Sequence, residues 1–123
     1  MRTYEVVFSD IAQDEADQSY LTVSRRVSPD FALRWYNGLV AEVRERLSSM
    51  PRVFALAPDA SAFPGLYARK MPYGRGATAY RVLYHVVEPA AGAEDEPGTV
   101  VILRVGHAAR RLLTDAERED DEG

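Results

Sequence analysis

Apolar residues recur along this chain with two different periods, and the change between them separates a helical half from a strand-rich half. Residues 3–8, rich in Tyr and Val, read as a short first strand. Over residues 10–25, Ile11, Ala12, Ala16, Tyr20 and Val23 return at helical spacing, and Asp10 with Gln13 resembles a capping box opening that helix. Ser28-Pro29 supplies an N-cap and first-turn pair for a second helix. Along it Phe31, Trp35, Leu39, Val43, Leu47 and Met50 form a stripe, widened by Ala32, Tyr36 and Val40. Pro51 closes it. Two helices joined by so short a link pack as an antiparallel hairpin.

Beyond Pro51 the period shortens. Residues 51–64 hold three prolines and read as a loop crossing to a sheet. Strands are expected at 66–71, 78–87 and 99–105, with Pro72-Tyr73-Gly74-Arg75-Gly76 turning between the first two. An acidic connection, 89–98, joins the second to the third, and a short helix is expected over 108–117. The order β-α-α-β-β-β predicts an α+β fold, an antiparallel sheet packed on the helical hairpin with its other face partly open. Alternation places Tyr80, Val82, Tyr84 and Val86 on one side of a central strand and Arg81, Leu83, His85 and Val87 on the other.

Composition adds bounds. The 123 residues suit one domain, read as residues 1–113 followed by an acidic, disordered tail at 114–123. There is no cysteine, so disulfides and thiolate metal sites are excluded. No apolar run reaches the roughly 18–20 residues of a membrane span. The N-terminus turns acidic before a signal-like core develops, which points to a cytoplasmic protein without membrane partners.

Charge changes the picture more. The net charge is −4, yet residues 66–87 and 99–113 carry Arg69, Lys70, Arg75, Arg81, Arg104, Arg110 and Arg111 and no acid. Residues 115–123 hold six acids against one Arg, so removing them takes the formal charge from −4 to +1. Cations gathered on a β-rich surface point to an anionic partner, phosphate first. The bland alternatives are a strand arginine paired with a carboxylate for Arg81, edge protection for Arg69 and Lys70, and helix-surface charge for Arg110 and Arg111. Tyr73, in the turn, is the best placed aromatic for stacking on a base. His85 and His107 lack the sequence neighbours of a metal site. No cofactor motif is present: Gly74-Arg75-Gly76 joins strands and does not open a helix.

Several segments together resemble the RelE/ParE superfamily of small toxins from bacterial type II toxin–antitoxin pairs, a group that includes plasmid stabilisation proteins. They are Tyr4-Glu5-Val6-Val7-Phe8, the Trp35 helix ending Leu47-Ser48-Ser49-Met50-Pro51, Tyr80-Arg81-Val82-Leu83-Tyr84, and Val101–Val105 followed by His107-Ala108-Ala109-Arg110. The resemblance implies a toxin neutralised by a cognate antitoxin protein. RelE-like members cleave mRNA on the ribosome without a metal, a ribose 2′-hydroxyl attacking the adjacent phosphate. By that likeness Arg81, His107 and Arg110 are the catalytic set and Arg69 and Lys70 position RNA; Tyr73, Arg75, Arg104 and Arg111 join the RNA-binding set on charge and stacking grounds. Arginine suits the charge-stabilising role because it stays protonated and can hold two phosphate oxygens at once. The stretch after Gly106, HAARRLLT, lacks the late Tyr of several RNA-cleaving members. Two alternatives therefore stand beside the nuclease: a ParE-like inhibitor of DNA gyrase acting by protein contacts, and an inactive antitoxin-binding relative.

Overall fold

The computed structural model describes residues 3–57 and 68–107. The expected short helix at 108–117, the tail, Arg110 and Arg111 lie outside the described residues. Strand β1 (Tyr4–Phe8) leads into helices α1 (Asp10–Arg26) and α2 (Pro29–Ser49). Strands β2 (Ala68–Tyr73), β3 (Tyr80–Val87) and β4 (Gly98–His107) follow, with a 3-10 turn at Gly76–Thr78. The four strands form one sheet in the order β1-β4-β3-β2. The α+β architecture and its element order are those expected from the sequence.

The sheet is mixed where a purely antiparallel one was expected: β1 runs parallel to β4, while β3 is antiparallel to both β2 and β4. The reason lies at Ser9. Its N–H donates to the Ile102 carbonyl at 2.9 Å, and further along α1 Glu15 meets Arg104 and Val105. Helix α1 thus advances along β4 and does not double back over β1. One expected reversal of direction is missing, and the relation of β1 to β4 inverts.

Both helices are capped by serine. The Ser9 Oγ accepts from the Ala12 N–H and the Ser28 Oγ from the Phe31 N–H, each at 3.1 Å. The first cap is therefore Ser9 and not Asp10. Gln13 reaches sideways instead, donating to Asp17 and to the Tyr36 hydroxyl. The stripe of α2 buries Trp35, Leu39, Val43 and Leu47 against Val6, Met71, Tyr80, Val82, Tyr84, Val100, Ile102 and Val105. Met50, the last member of the expected stripe, is exposed at the helix end.

Strand β2 runs on through Pro72 into the expected turn. Lys70 donates its N–H outward to the Ala55 carbonyl, at 3.1 Å. Pro72, two residues on, therefore aims its ring nitrogen away from β3 and deprives the ladder of nothing. At the far side of the turn Gly74 has φ +82°, and a Cβ there would lie 2.2 Å from the Thr78 carbonyl oxygen. Only glycine fits.

Candidate nucleic-acid interface

Cross-strand register assigns the two faces of the sheet. Arg69, Met71 and Tyr73 on β2 pair with Tyr84, Val82 and Tyr80 on β3, all toward the helices. Ala68, Lys70 and Pro72 pair with His85, Leu83 and Arg81 on the opposite, open face. There Leu83 and Ala68 are buried beneath Ala57 and beside Leu103. Lys70 and Arg81 are diagonal neighbours on this face, at a spacing of about 7–8 Å between backbones. Pro72 and Gly106 flank Arg81 on the adjoining strands, and its Nε is buried while the side chain as a whole is partly exposed. Neither β2 nor β3 contains an acidic residue.

His85 shares this face and pairs with Ala68 and Val101. Its Nδ1 is buried and makes no hydrogen bond among the described residues. Strand alternation alone places His85 on the same face as Arg81, about 13 Å along the strand, yet the sequence suggests for it nothing beyond metal ligation, which its neighbours do not support.

The other predicted site residues are placed elsewhere. His107 pairs with Tyr80 and packs its ring edge-on to that tyrosine, 5.4 Å between centroids, on the helix side. Arg81, next to Tyr80 in β3, faces the other way. The two lie at one end of the sheet on opposite faces. Tyr73 donates its hydroxyl to the Trp35 carbonyl at 2.6 Å and packs its ring edge-on to Trp35. Burial pushes its phenol up, with the Glu42 charge adding to the shift. Arg75 stands exposed in the β2–β3 turn.

Arg104 is paired opposite Leu83, next to a register shift that leaves Leu103 as the extra residue of a bulge. Its guanidinium grips Glu15 through Nε and Nη2, at 2.8–3.0 Å. Glu15 also accepts the Val105 N–H at 2.9 Å. Strand β1 ends opposite Ile102, so this part of β4 has no neighbouring strand on that side among the described residues. Ser9, donating its hydroxyl to the Leu103 carbonyl, and Glu15 stand in for the missing ladder.

Arg69 is turned to the chain before β2. It donates to the Phe54 carbonyl at 2.7 Å, while Ala57 N–H to Ala68 and Lys70 N–H to Ala55 tie residues 55–57 along the β2 edge. Tyr84 completes this clamp from inside, its hydroxyl donating to the Pro51 carbonyl at 2.6 Å. Burial pushes the Tyr84 phenol up to about 12, partly opposed by the Arg69 charge. The folded-state value exceeds the ordinary one near 10, so this stabilisation is complete below about pH 10 and is lost as pH rises toward 12. Denaturant unfolding followed from pH 9 to 12 should show a steep alkaline loss that Tyr84→Phe flattens. At neutral pH the same variant should lose about 1–3 kcal/mol, because the Pro51 carbonyl is left unpaired.

These features define a class: a two-layer α+β domain with a helical hairpin on one face of a four-stranded sheet and a cation-bearing open face. The fold is shared with a solved toxin–antitoxin chain. It is similar to a chain of the chromosomal ParDE toxin–antitoxin system of P. aeruginosa, with TM-score 0.60 at 18% identity, over 85% of this chain and 96% of that one. A chain of the RelBE2 toxin–antitoxin complex of Mycobacterium tuberculosis aligns at 25% identity and TM-score 0.45, over 85% of this chain and 98% of that one. No protein-family model and no curated protein matches the chain. No helix among the described residues is long and apolar enough to cross a membrane.

Proposed function

We propose that this chain is the toxin of a type II toxin–antitoxin pair, restrained by a cognate antitoxin protein, and that it cleaves mRNA on the ribosome. The observation carrying the nuclease reading is the placing of Lys70 and Arg81 together on an open face whose two contributing strands hold no carboxylate. A polyanion laid across β2 and β3 meets positive charge without local repulsion. When a ribose 2′-hydroxyl loses its proton and attacks the neighbouring phosphate, the P–O5′ bond breaks to leave a 2′,3′-cyclic phosphate and a protonated 5′-hydroxyl, and negative charge accumulates on the phosphoryl oxygens on the way. Arg81, permanently protonated, stabilises that charge, and Lys70 seats the adjoining phosphate. His107 lies on the opposite face of the same sheet end, so a strand held at Arg81 turns over the rim at Gly106 for His107 to transfer its proton, with Arg110 following it in the chain. The setting is the cytoplasm, where mRNA and ribosomes meet.

A second reading is gyrase inhibition through protein contacts. It is favoured by the engagement of Arg69, Arg104 and Tyr73 in intramolecular bonds and by the likeness to the ParDE chain.

Induction in a sensitive host separates the two. The nuclease reading expects prompt translation arrest with cut transcripts, and Arg81→Ala should lower cleavage about 100-fold or more while the protein stays folded. Lys70→Ala should weaken it less. Replication arrest with DNA breakage and intact transcripts would transfer the assignment to gyrase. Growth undisturbed by soluble, well-expressed protein would leave only the inactive antitoxin-binding relative.

A further inference from the structure

The remaining cations of the described residues divide into two sets. Arg44, Arg46, Arg52, Arg69 and Arg104 are spent internally, on the Val6 carbonyl, the Phe54 ring, Glu88, loop carbonyls and Glu15. Arg25, Arg26, Arg34 and Arg75 are exposed, and their side chains make no ion pair or hydrogen bond among the described residues. These four gather at one end of the molecule. Arg25 and Arg26 form the last turn of α1. Arg34 precedes Trp35, whose Nε1 donates to the Thr78 carbonyl at 3.2 Å and so holds the second turn of α2 against the β2–β3 turn carrying Arg75. From Pro29 to Trp35 the helix rises only about 9 Å.

Among the described residues, acids are almost absent there. Residues 18–41 contain one, Asp30, and residues 68–87 none. Val27 and Leu33 stand exposed among the arginines, each at 53%. The end of a helical hairpin is about 8–10 Å between axes, wide enough to address two rows of phosphates. It presents apolar side chains between its cations, and these suit sugar faces. Double-helical RNA is recognised in this manner, by shape and by phosphate and 2′-hydroxyl contacts across a shallow groove.

We propose that this hairpin tip, with Arg25, Arg26, Arg34 and Arg75, is a docking surface for the backbone of double-helical RNA. It is distinct from the open face at Lys70 and Arg81, which takes the strand to be cut. The inference rests on the RNA-directed reading above and adds a second footprint to it. The tip anchors folded RNA of the kind a ribosome displays, and the open face then meets the adjoining single strand.

The test is fluorescence anisotropy of the full chain with two labelled probes, a 20-base-pair RNA duplex and an unpaired RNA strand, across a salt series. For Arg25→Gln/Arg26→Gln/Arg34→Gln, duplex affinity at low salt should fall at least 100-fold. The slope of log K against log salt should flatten by about 0.9 for each phosphate that is no longer neutralised. Single-strand binding should survive, and the melting curve should change little because all three side chains are exposed. Arg75→Gln should flatten the slope by about one further phosphate. An unchanged slope overturns the proposal, as does an equal loss on a DNA duplex of the same sequence. Wild-type duplex binding in the triple variant, together with failure to capture the antitoxin, would make the tip a protein-docking surface instead. Failure of the nuclease reading shows separately, as intact transcripts on induction of the wild-type chain.

Discussion

Glu15→Ala should cost about 3 kcal/mol, more than any other change to a partly exposed polar side chain in this fold. One carboxylate performs three tasks: it holds the Arg104 guanidinium through two oxygens, accepts the Val105 N–H, and fastens α1 to the stretch of β4 that outruns β1. Truncation takes the carboxylate away from an arginine side chain that is only 20% exposed and leaves the Val105 N–H without its acceptor. The sheet edge from Leu103 to His107 then loses the group that replaces a neighbouring strand. Glu15→Gln should recover about half of the loss, since an amide oxygen can still accept from Val105. Arg104→Ala should cost less than Glu15→Ala, because the carboxylate keeps the Val105 N–H. Equilibrium urea unfolding of the three variants gives the order. Equal losses for Glu15→Ala and Arg104→Ala would show that the ion pair, not the backbone hydrogen bond, dominates.

The Glu15 clasp also explains which parts of the site the sequence could disclose. Alternation along residues 80–87 identifies the faces of β3 because its period is two and both faces are apolar enough to show it. It places Arg81 and His85 on one face without coordinates. The neighbouring Lys70 is legible only as a cation on a strand, since its face depends on register with β3, which sequence alone leaves open. Arg104 reads as a phosphate ligand because nothing in its own segment announces Glu15, distant in sequence and on another element. Arg69 and Tyr73 share that difficulty. Each is polar and lies in a basic strand, and each ends on a carbonyl supplied by a different part of the chain.

The fold is more legible than the site for the same reason. Helix stripes, the Ser28-Pro29 start and the Pro51 stop are local, and all of them correspond to elements of the structure. The parallel β1–β4 pairing is not local. It follows from the angle at which α1 leaves Ser9, and the hydrophobic pattern carries no trace of that angle. The bulge at Leu103 is equally silent, because an extra apolar residue in an apolar strand leaves the composition unchanged. The four exposed arginines of the hairpin tip are visible as residues, but not as a group. Arg25, Arg26 and Arg34 belong to the nearly neutral first half, and Arg75 to the cationic second. Only Trp35 brings them to one end.

Trp35→Ala therefore carries the largest expected loss, about 3–5 kcal/mol. The indole is buried, with 5% of its surface exposed. It lies edge-on to Tyr80 at 4.8 Å and to Tyr73 at 5.6 Å between centroids, and its Nε1 donates to Thr78. Removing it opens a cavity between α2 and the β2–β3 turn and leaves the Thr78 carbonyl without its donor. Trp35→Phe separates these effects: it keeps most of the ring volume and loses the hydrogen bond, so it should cost about 1–2 kcal/mol. The phenylalanine variant also tests the link from packing to function. The Tyr73 bond to the residue 35 carbonyl remains, but with the tie to Thr78 gone Arg75 should shift away from Arg34. The salt slope for duplex RNA should flatten by about one phosphate, although no charge has been removed. A slope equal to that of the wild-type chain in a folded Trp35→Phe protein would show that Arg75 acts independently of the hairpin. The RNA footprint would then contract to Arg25, Arg26 and Arg34.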